Sequence, residues 1–463
     1  MRLGIELDLS VEMTPAQLKK VDHQLQEFLD YITEGMGRPE RRRAIGWYLT
    51  GLLLDGERKS VVSMAKRLVQ QDDEAEAVRQ RLQQCVTISN WADEEVRRRL
   101  LQRFESVLRP EAFVVDDTGF AKKGKHSVGV ARQYSGTLGR VDNCQVATSL
   151  HVASNDSSGC VGMRLYLPEE WASDAERRAK AGVPEEVVFR RKWQLALDLL
   201  DEALSAGAPP RLVLADCGYG DSTEFRDGLV ERKCPYLVGI SGQRLGWPPG
   251  STPRPPPQRQ AGQLGRPKTR YRDGDHKPLP LAELAQDLEF RKYRCPDGRG
   301  GTKSGHFAFT RLHLAERHDK GRKPSDEVWL IVEWRPGNGE RKYYVSNLPP
   351  SVPKKELVRL VKLRWRIERD YQEMKGHVGL DHFEGRTWRG FHHHATLCAV
   401  AHAFLALQRR LFPPQDLPLD LAYGEATHSD ASSAAHWKLS PMPPAFRPIY
   451  PSTRPFKDVI KWY

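Results

Sequence analysis

No run of about 18 apolar residues occurs in this chain, so the sequence offers no helix able to cross a membrane. The opening residues, MRLGIELDLSVEM, lack the basic and apolar stretches of a secretion signal, and the chain is expected to stay in the cytoplasm. Cysteine is sparse. The seven are odd in number and form no CxxC pair, which excludes a disulfide framework and a zinc site and points to reduced thiols. No glycine cluster has the form of a phosphate-binding P-loop, so no nucleotide cofactor is expected. No repeat of 20–50 residues is visible either, which argues against a solenoid or propeller.

What the chain does have is length and positive charge. Its 463 residues exceed a single compact core, and two or three domains are expected. Net charge is +12, a balance that suits a polyanionic partner. The surplus is local: Ser251 to Lys323 holds 17 Lys and Arg against 8 Asp and Glu, whereas the first 100 residues are close to neutral.

Residues 1–110 read as a helical N-terminal domain, expected to bind DNA, although short helices with short turns suit any small helical bundle equally. Thr14 and Pro15 form a start signal, with Leu18, Val21, Leu25, Phe28 and Ile32 on one face. Further helices follow at Pro39–Leu54, at Ser60–Val69, through Leu82 and at Asp93–Phe104. From Ala112 the period changes to two. AFVVDDTGF, HSVGVARQYSG and NCQVATSLHVA read as a three-stranded antiparallel meander. A long helix is expected from Pro184 to Ala206, then the strand RLVLADCGYG, a helix at Thr223–Glu231 and the strand YLVGI. Meander followed by strand–helix–strand is the order of a ribonuclease-H-like mixed sheet flanked by helices, an α/β fold. The core is expected to occupy 111–246 and 325–412, interrupted by a basic insertion at 247–324. That insertion reads as weakly structured or carrying a few strands of its own. EVWLIVEW and KYYVSNLP resume strand character, Lys354–Lys375 reads as one basic helix, and Phe391–Leu411 as an apolar one. A Pro-rich tail fills 413–463, expected to be partly disordered.

Acidic residues at strand ends are the natural holders of hard divalent ions, and two stretches supply them, VVDDT and VLADCGYG. An Asp that merely caps the next turn is a common alternative for either. Asp116 and Asp117 point to opposite faces of a strand, so only one can line a given site. In LRWRIERDYQEMK, Arg364, Glu368 and Lys375 are spaced by 4 and 7 residues. At about 100° per residue they fall within roughly 60° on one helix face, while Glu373 lies roughly 140° from Glu368. A carboxylate flanked by two cations suits a site holding metal ions and phosphates together; an ordinary surface ion pair is the plainer alternative. His392, His393 and His394 are consecutive, point in different directions on a helix, and suit packing or a DNA contact better than a metal.

RWRIE followed by six residues and a Lys resembles the signature helix of DDE transposases from bacterial insertion sequences, in which Tyr, Arg, Glu and Lys recur at fixed spacing. Val361 stands at the tyrosine position, so a contact that needs the tyrosine is in doubt. DDTGFAKKGKHSVGVARQYSGTLGRVDNCQ, LADCGYG and GLDHFEGRTWRGFHHH are similar to one subgroup of that family, and the resemblance runs from about Arg38 to Leu411. It implies a metal-binding catalytic triad of Asp117, Asp216 and Glu368. Asp117 is taken over Asp116 because it directly precedes Thr118. It implies two Mg²⁺ ions, replaceable by Mn²⁺, and a mostly β insertion within the 152 residues from Asp216 to Glu368. Arg364 and Lys375 would contact phosphates at the element's ends, and Trp365 or Trp388 would brace a flipped base, with packing in the core the equal alternative for each. Lys122, Lys123, Arg386 and Arg389 are further candidate DNA contacts. The implied function is cut-and-paste DNA transposition: metal-dependent cleavage at terminal inverted repeats and strand transfer into target DNA, by a homodimer, at the bacterial nucleoid. The alternatives are a junction-resolving nuclease on the same fold and a domesticated, non-catalytic DNA-binding protein.

Overall fold

The computed structural model describes residues 15–411 apart from 70, 258–268, 275, 297–301, 317, 319–320, 336 and 338, together with 435–438 and 459–462. Five helices come first: α1 (Pro15–Thr33), α2 (Pro39–Leu53), α3 (Val61–Leu68), α4 (Ala75–Thr87) and α5 (Asp93–Leu108). Leu25, Phe28 and Ile32 form the buried stripe of α1, as their spacing requires. Thr14 and the Leu18 side chain lie outside the described residues. Ser60 caps α3, its Oγ accepting the Ser63 N–H at 3.3 Å.

The core then supplies β1 (Ala112–Ala121), β2 (Ala131–Ser135), β3 (Arg140–Ala153) and β4 (Ser158–Leu165), and the short helices α6 (Glu169–Ala172) and α7 (Ala175–Ala181). Helix α8 (Lys192–Ser205), β5 (Leu212–Ala215), α9 (Cys217–Gly220), α10 (Thr223–Glu231) and β6 (Tyr236–Ile240) follow. Strand β1 runs antiparallel to β3 and parallel to β5, which runs parallel to β6. The order β4-β3-β1-β5-β6 is that of a ribonuclease-H-like sheet. The meander differs from the sequential one expected. Strand β3, 14 residues long, takes β1 along one edge and divides its other edge between β2 and β4. The helix expected from Pro184 starts only at Lys192. The Gln194 side chain accepts the Arg191 N–H at 2.9 Å and fixes that start.

Beyond β6 lie a two-stranded pair, β7 (Leu245–Gly246) with β8 (Leu279–Pro280), the helix α11 (Leu281–Leu284), and β9 (Arg291–Pro296), β10 (Thr302–Leu312), β11 (Val328–Arg335) and β12 (Glu340–Ser346). The last four do not form a sheet of their own. β12 pairs with β6, and β11, β10 and β9 follow outward, so ten strands make one sheet. Three helices end the core: α12 (Lys354–Leu363), α13 (Arg366–Gly376) and α14 (Trp388–Leu411). In the tail, β13 (Ala435–Lys438) pairs with β14 (Val459–Trp462), and the remainder lies outside the described residues.

The single helix expected at 354–375 is thus two. Arg364 and Trp365 form a tightened turn, in which Trp365, Ile367 and Glu368 N–H groups reach back three residues rather than four. Both residues keep right-handed helical angles, so one helix passes into the next through a tightened, 3₁₀-like turn. Helix α14 packs against β4, α13 and the N-terminal helices α2, α4 and α5. One contiguous apolar core therefore runs from Leu25 to Leu407.

Candidate active site

The register of β1 on β5 pairs Ala112 to Val115 with Leu212 to Ala215. One step further along each strand stand Asp116 and Asp216. Residues in register on neighbouring parallel strands share a face and sit about 5 Å apart. The opposite β3 register pairs Asp116 with Ser149 and Asp117 with Thr148. Ser149 Oγ meets the Tyr371 hydroxyl of α13 at 2.6 Å, whereas Thr148 Oγ1 accepts from Tyr219 of α9. The two aspartates therefore face different helices.

Asp116 Oδ1 accepts the Asp117 N–H at 2.8 Å, and its Oδ2 takes Arg364 at 3.2 Å. The same guanidinium donates to Glu368 Oε1 at 2.6 Å. A planar fork with these two contacts leaves the Asp116 and Glu368 oxygens no more than about 8 Å apart. Asp117 instead receives Lys192 Nζ at 2.8 Å. Of the expected triad, then, the structure gathers Asp216 and Glu368 around Arg364 with Asp116 as the third member. Asp117 lies across the strand, although its charge still reaches Asp216.

Burial raises the Asp116 carboxyl to about 7; Asp216 beside it adds to the rise and Arg364 opposes it. Burial also raises Asp216, against Arg364 and with a push from Asp117. Two carboxylates crowded in this way call for a cation. Asp216 Oδ1 is buried without a hydrogen-bond partner, an oxygen that a cation would satisfy. The donor set is all oxygen, which fits Mg²⁺ or Mn²⁺. Among the described residues no three acidic, His or Cys side chains form a ready metal cage. Arg364 stands among the carboxylates that would form it.

Helix α13 is fixed from behind by buried polar contacts. Asp370 takes His151 at 2.7 Å and Ser158 at 2.7 Å, and Glu373 takes Arg369, Arg409 and His402. Burial opposes the charge on His151, yet Cys160 and Asp370 carry its pKa up to about 10. Glu373 faces away from Glu368, as the helical spacing requires.

The other expected contacts divide. Lys375 Nζ donates to the Gly119 carbonyl at 2.9 Å and lies 5.3 Å from the Phe120 ring, partly buried. Lys122 Nζ is spent on the Phe383 carbonyl at 2.8 Å. Lys123 and Arg386 are exposed, and the chain segments carrying them meet where Val128 N–H donates to the Arg386 carbonyl. Arg389 is exposed but donates to Ile88 O, at the end of α4. Trp365 sits half-buried in the α12–α13 turn, and Trp388 half-buried against His392. The three histidines pack: His392 accepts the Leu165 N–H, His393 stacks on Trp91, and His394 meets the Tyr48 hydroxyl at 2.8 Å.

Sequence reasoning passes over Lys192, Ser149 and Tyr371 and sets Asp116 aside. A signal for Asp116 is nonetheless present: β1 and β5 each end four apolar or small residues with their first Asp, Ala112–Val115 before Asp116 and Leu212–Ala215 before Asp216.

Against known proteins, residues 28–304 match the pattern of the DDE superfamily endonucleases, three-fifths of the chain. The chain belongs to that family. The match takes in Asp116, Asp117 and Asp216 and ends before Glu368. A similar curated protein is the "Probable transposase for insertion sequence element IS701" of Microchaete diplosiphon, 33% identical over 193 residues. That stretch is 41% of this chain, and it spans about half of the relative's length, 46%. Among solved structures, a piggyBac transposase synaptic complex with hairpin DNA aligns at 10% identity over 87% of this chain and 82% of that one. Its TM-score of 0.34 is too low to bear on the fold, which rests on the strand order above.

Proposed function

We propose that this member of the DDE family is a DNA transposase that cleaves at the ends of a mobile element and joins the freed 3′-hydroxyl to target DNA. The observation that carries the reading is the convergence of Asp116, Asp216 and Glu368 on one guanidinium from three distant parts of the chain. We assign these three as the metal-binding carboxylates, in place of a triad with Asp117. Two bound Mg²⁺ or Mn²⁺ ions would supply an activated water and charge neutralisation at the scissile phosphate. The chain's own residues would hold the ions from the middle of β1, the end of β5 and α13. Lys375, Lys123 and Arg386 hold DNA phosphates, and the N-terminal helices and the basic insertion grip the terminal repeats. Two ends must be joined in one event, so a homodimer on DNA is part of the reading. The family membership and the insertion-sequence relative support it.

The test is a duplex carrying the inverted repeats that flank the reading frame, incubated with Mg²⁺ and a target plasmid. Wild-type protein is expected to nick the end and join it to plasmid. Asp116→Asn, Asp216→Asn and Glu368→Gln should each lower the rate at least about 10³-fold, with Asp117→Asn within about tenfold of wild type. A silent Asp116→Asn and a dead Asp117→Asn would reverse the assignment. Hydrolysis without joining would make the protein a nuclease instead.

A further inference from the structure

Arg364 occupies an unusual place for a residue expected to meet DNA. Its side chain is only 22% exposed, its two terminal nitrogens are committed to Asp116 and Glu368, and Asp216 acts on it as well. We propose that Arg364 is a placeholder for the divalent ions: it stays among the carboxylates until a DNA phosphate draws it out, and ion binding is thereby coupled to DNA binding. This deepens the reading of Asp116, Asp216 and Glu368 as a metal site and rests on it.

Four features carry the inference. A guanidinium brings one positive charge to three carboxylates, so it relieves their repulsion without satisfying it. Asp216 Oδ1, which Arg364 does not reach, is left without a partner. A cation that bridges Oδ2 of Asp116 and Oε1 of Glu368 must replace the contacts Arg364 makes there, since the fork lies between them. The residue also sits at the one place in the 354–376 segment where the backbone leaves regular α-geometry, the tightened turn between α12 and α13. A side chain on such a turn can swing without unwinding either helix. Phosphate is the anion that competes best for it, because a planar fork binds phosphate through two parallel hydrogen bonds.

The measurement is Mn²⁺ titration of the full chain by calorimetry, with and without the end duplex. DNA-free wild type is expected to bind Mn²⁺ weakly, and Arg364→Gln about tenfold tighter or more. Arg364→Lys, which keeps the charge, should remain near wild type. The duplex should tighten Mn²⁺ binding to wild type but add little in Arg364→Gln, because the coupling has been removed. If the Gln variant is misfolded by circular dichroism, the wild-type comparison with and without duplex still decides. Equal or weaker Mn²⁺ binding by a folded Arg364→Gln overturns the inference, as does wild-type affinity indifferent to DNA. A distinct result sinks the underlying reading: Mn²⁺ binding that Asp216→Asn leaves unchanged in every preparation.

Discussion

Two neighbouring aspartates on β1 meet different cations, and that difference shapes the chemistry open to each. Asp117 meets a lysine at the sheet's other face; Asp116 is pressed against Asp216 with one arginine between them and Glu368. A carboxyl raised from 3.8 to about 7 costs the folded state nothing below pH 3.8, where both states hold the proton. The cost grows as pH rises and is complete above about 7, where the folded state has lost the proton as well. In metal-free buffer at pH 8, Asp116→Asn is therefore expected to be more stable than wild type, by roughly 1–3 kcal/mol in urea unfolding. Saturating Mg²⁺ should narrow or reverse that gain, since the ion stabilises only the intact site. A less stable Asp116→Asn at pH 8 would mean that Arg364 outweighs the crowding. The alternation of a strand tells that one aspartate serves a given face. Which one depends on the β5 register, a long-range fact that the VVDDT stretch does not contain.

Among elements, α14 joins the two halves of the chain. His392, His393 and His394 on it are buried, or nearly so, and burial lowers each of these three to about 4. Unfolded histidine takes up its proton near 6.5, so between pH 6.5 and 4 the unfolded chain binds more protons and stability falls as pH falls. Three such groups should remove several kcal/mol over that range, each at most about 1.4 kcal/mol for every pH unit crossed. Thermal unfolding followed from pH 7.5 to 4.5 should show the loss, and His394→Gln should flatten the curve; a pH-independent midpoint would contradict the neutral, buried state. Helices with clear apolar spacing, such as α1, α5 and α14, are legible in the sequence, because burial alone fixes their faces. The turn splitting α12 from α13 is not, because no Pro or Gly marks LRWRIE and both turn residues keep helical angles. Strand β4 escapes a reading by pattern because SGCVGMRL shows no alternation, being buried on both faces. The residues before α8 have amphipathic spacing without being helical.

At the scale of the molecule, the basic insertion is part of the main sheet. β10 covers the edge of β11, and α12 leans on this outer part through Lys354 over the Phe309 ring and Lys362 over Phe307. Removing residues 291–312 should expose the β11 edge, with Val328 to Val332 buried until then. The expected outcome is a truncated chain that aggregates on size-exclusion chromatography; a monodisperse product would show the insertion to be separable. Sequence composition marks this segment as foreign to the core, yet pairing partners cannot be read from composition. The shared α14 has another consequence. The leading helices hang on no flexible tether, since α2, α4 and α5 pack on the same helix that braces α13. If these helices grip duplex DNA as proposed, they would present it to the carboxylates at a set distance, like the jaws of a caliper. The number of base pairs between grip and cut would then be a constant of the fold, and lengthening the spacer in a substrate would carry the phosphodiester out of reach.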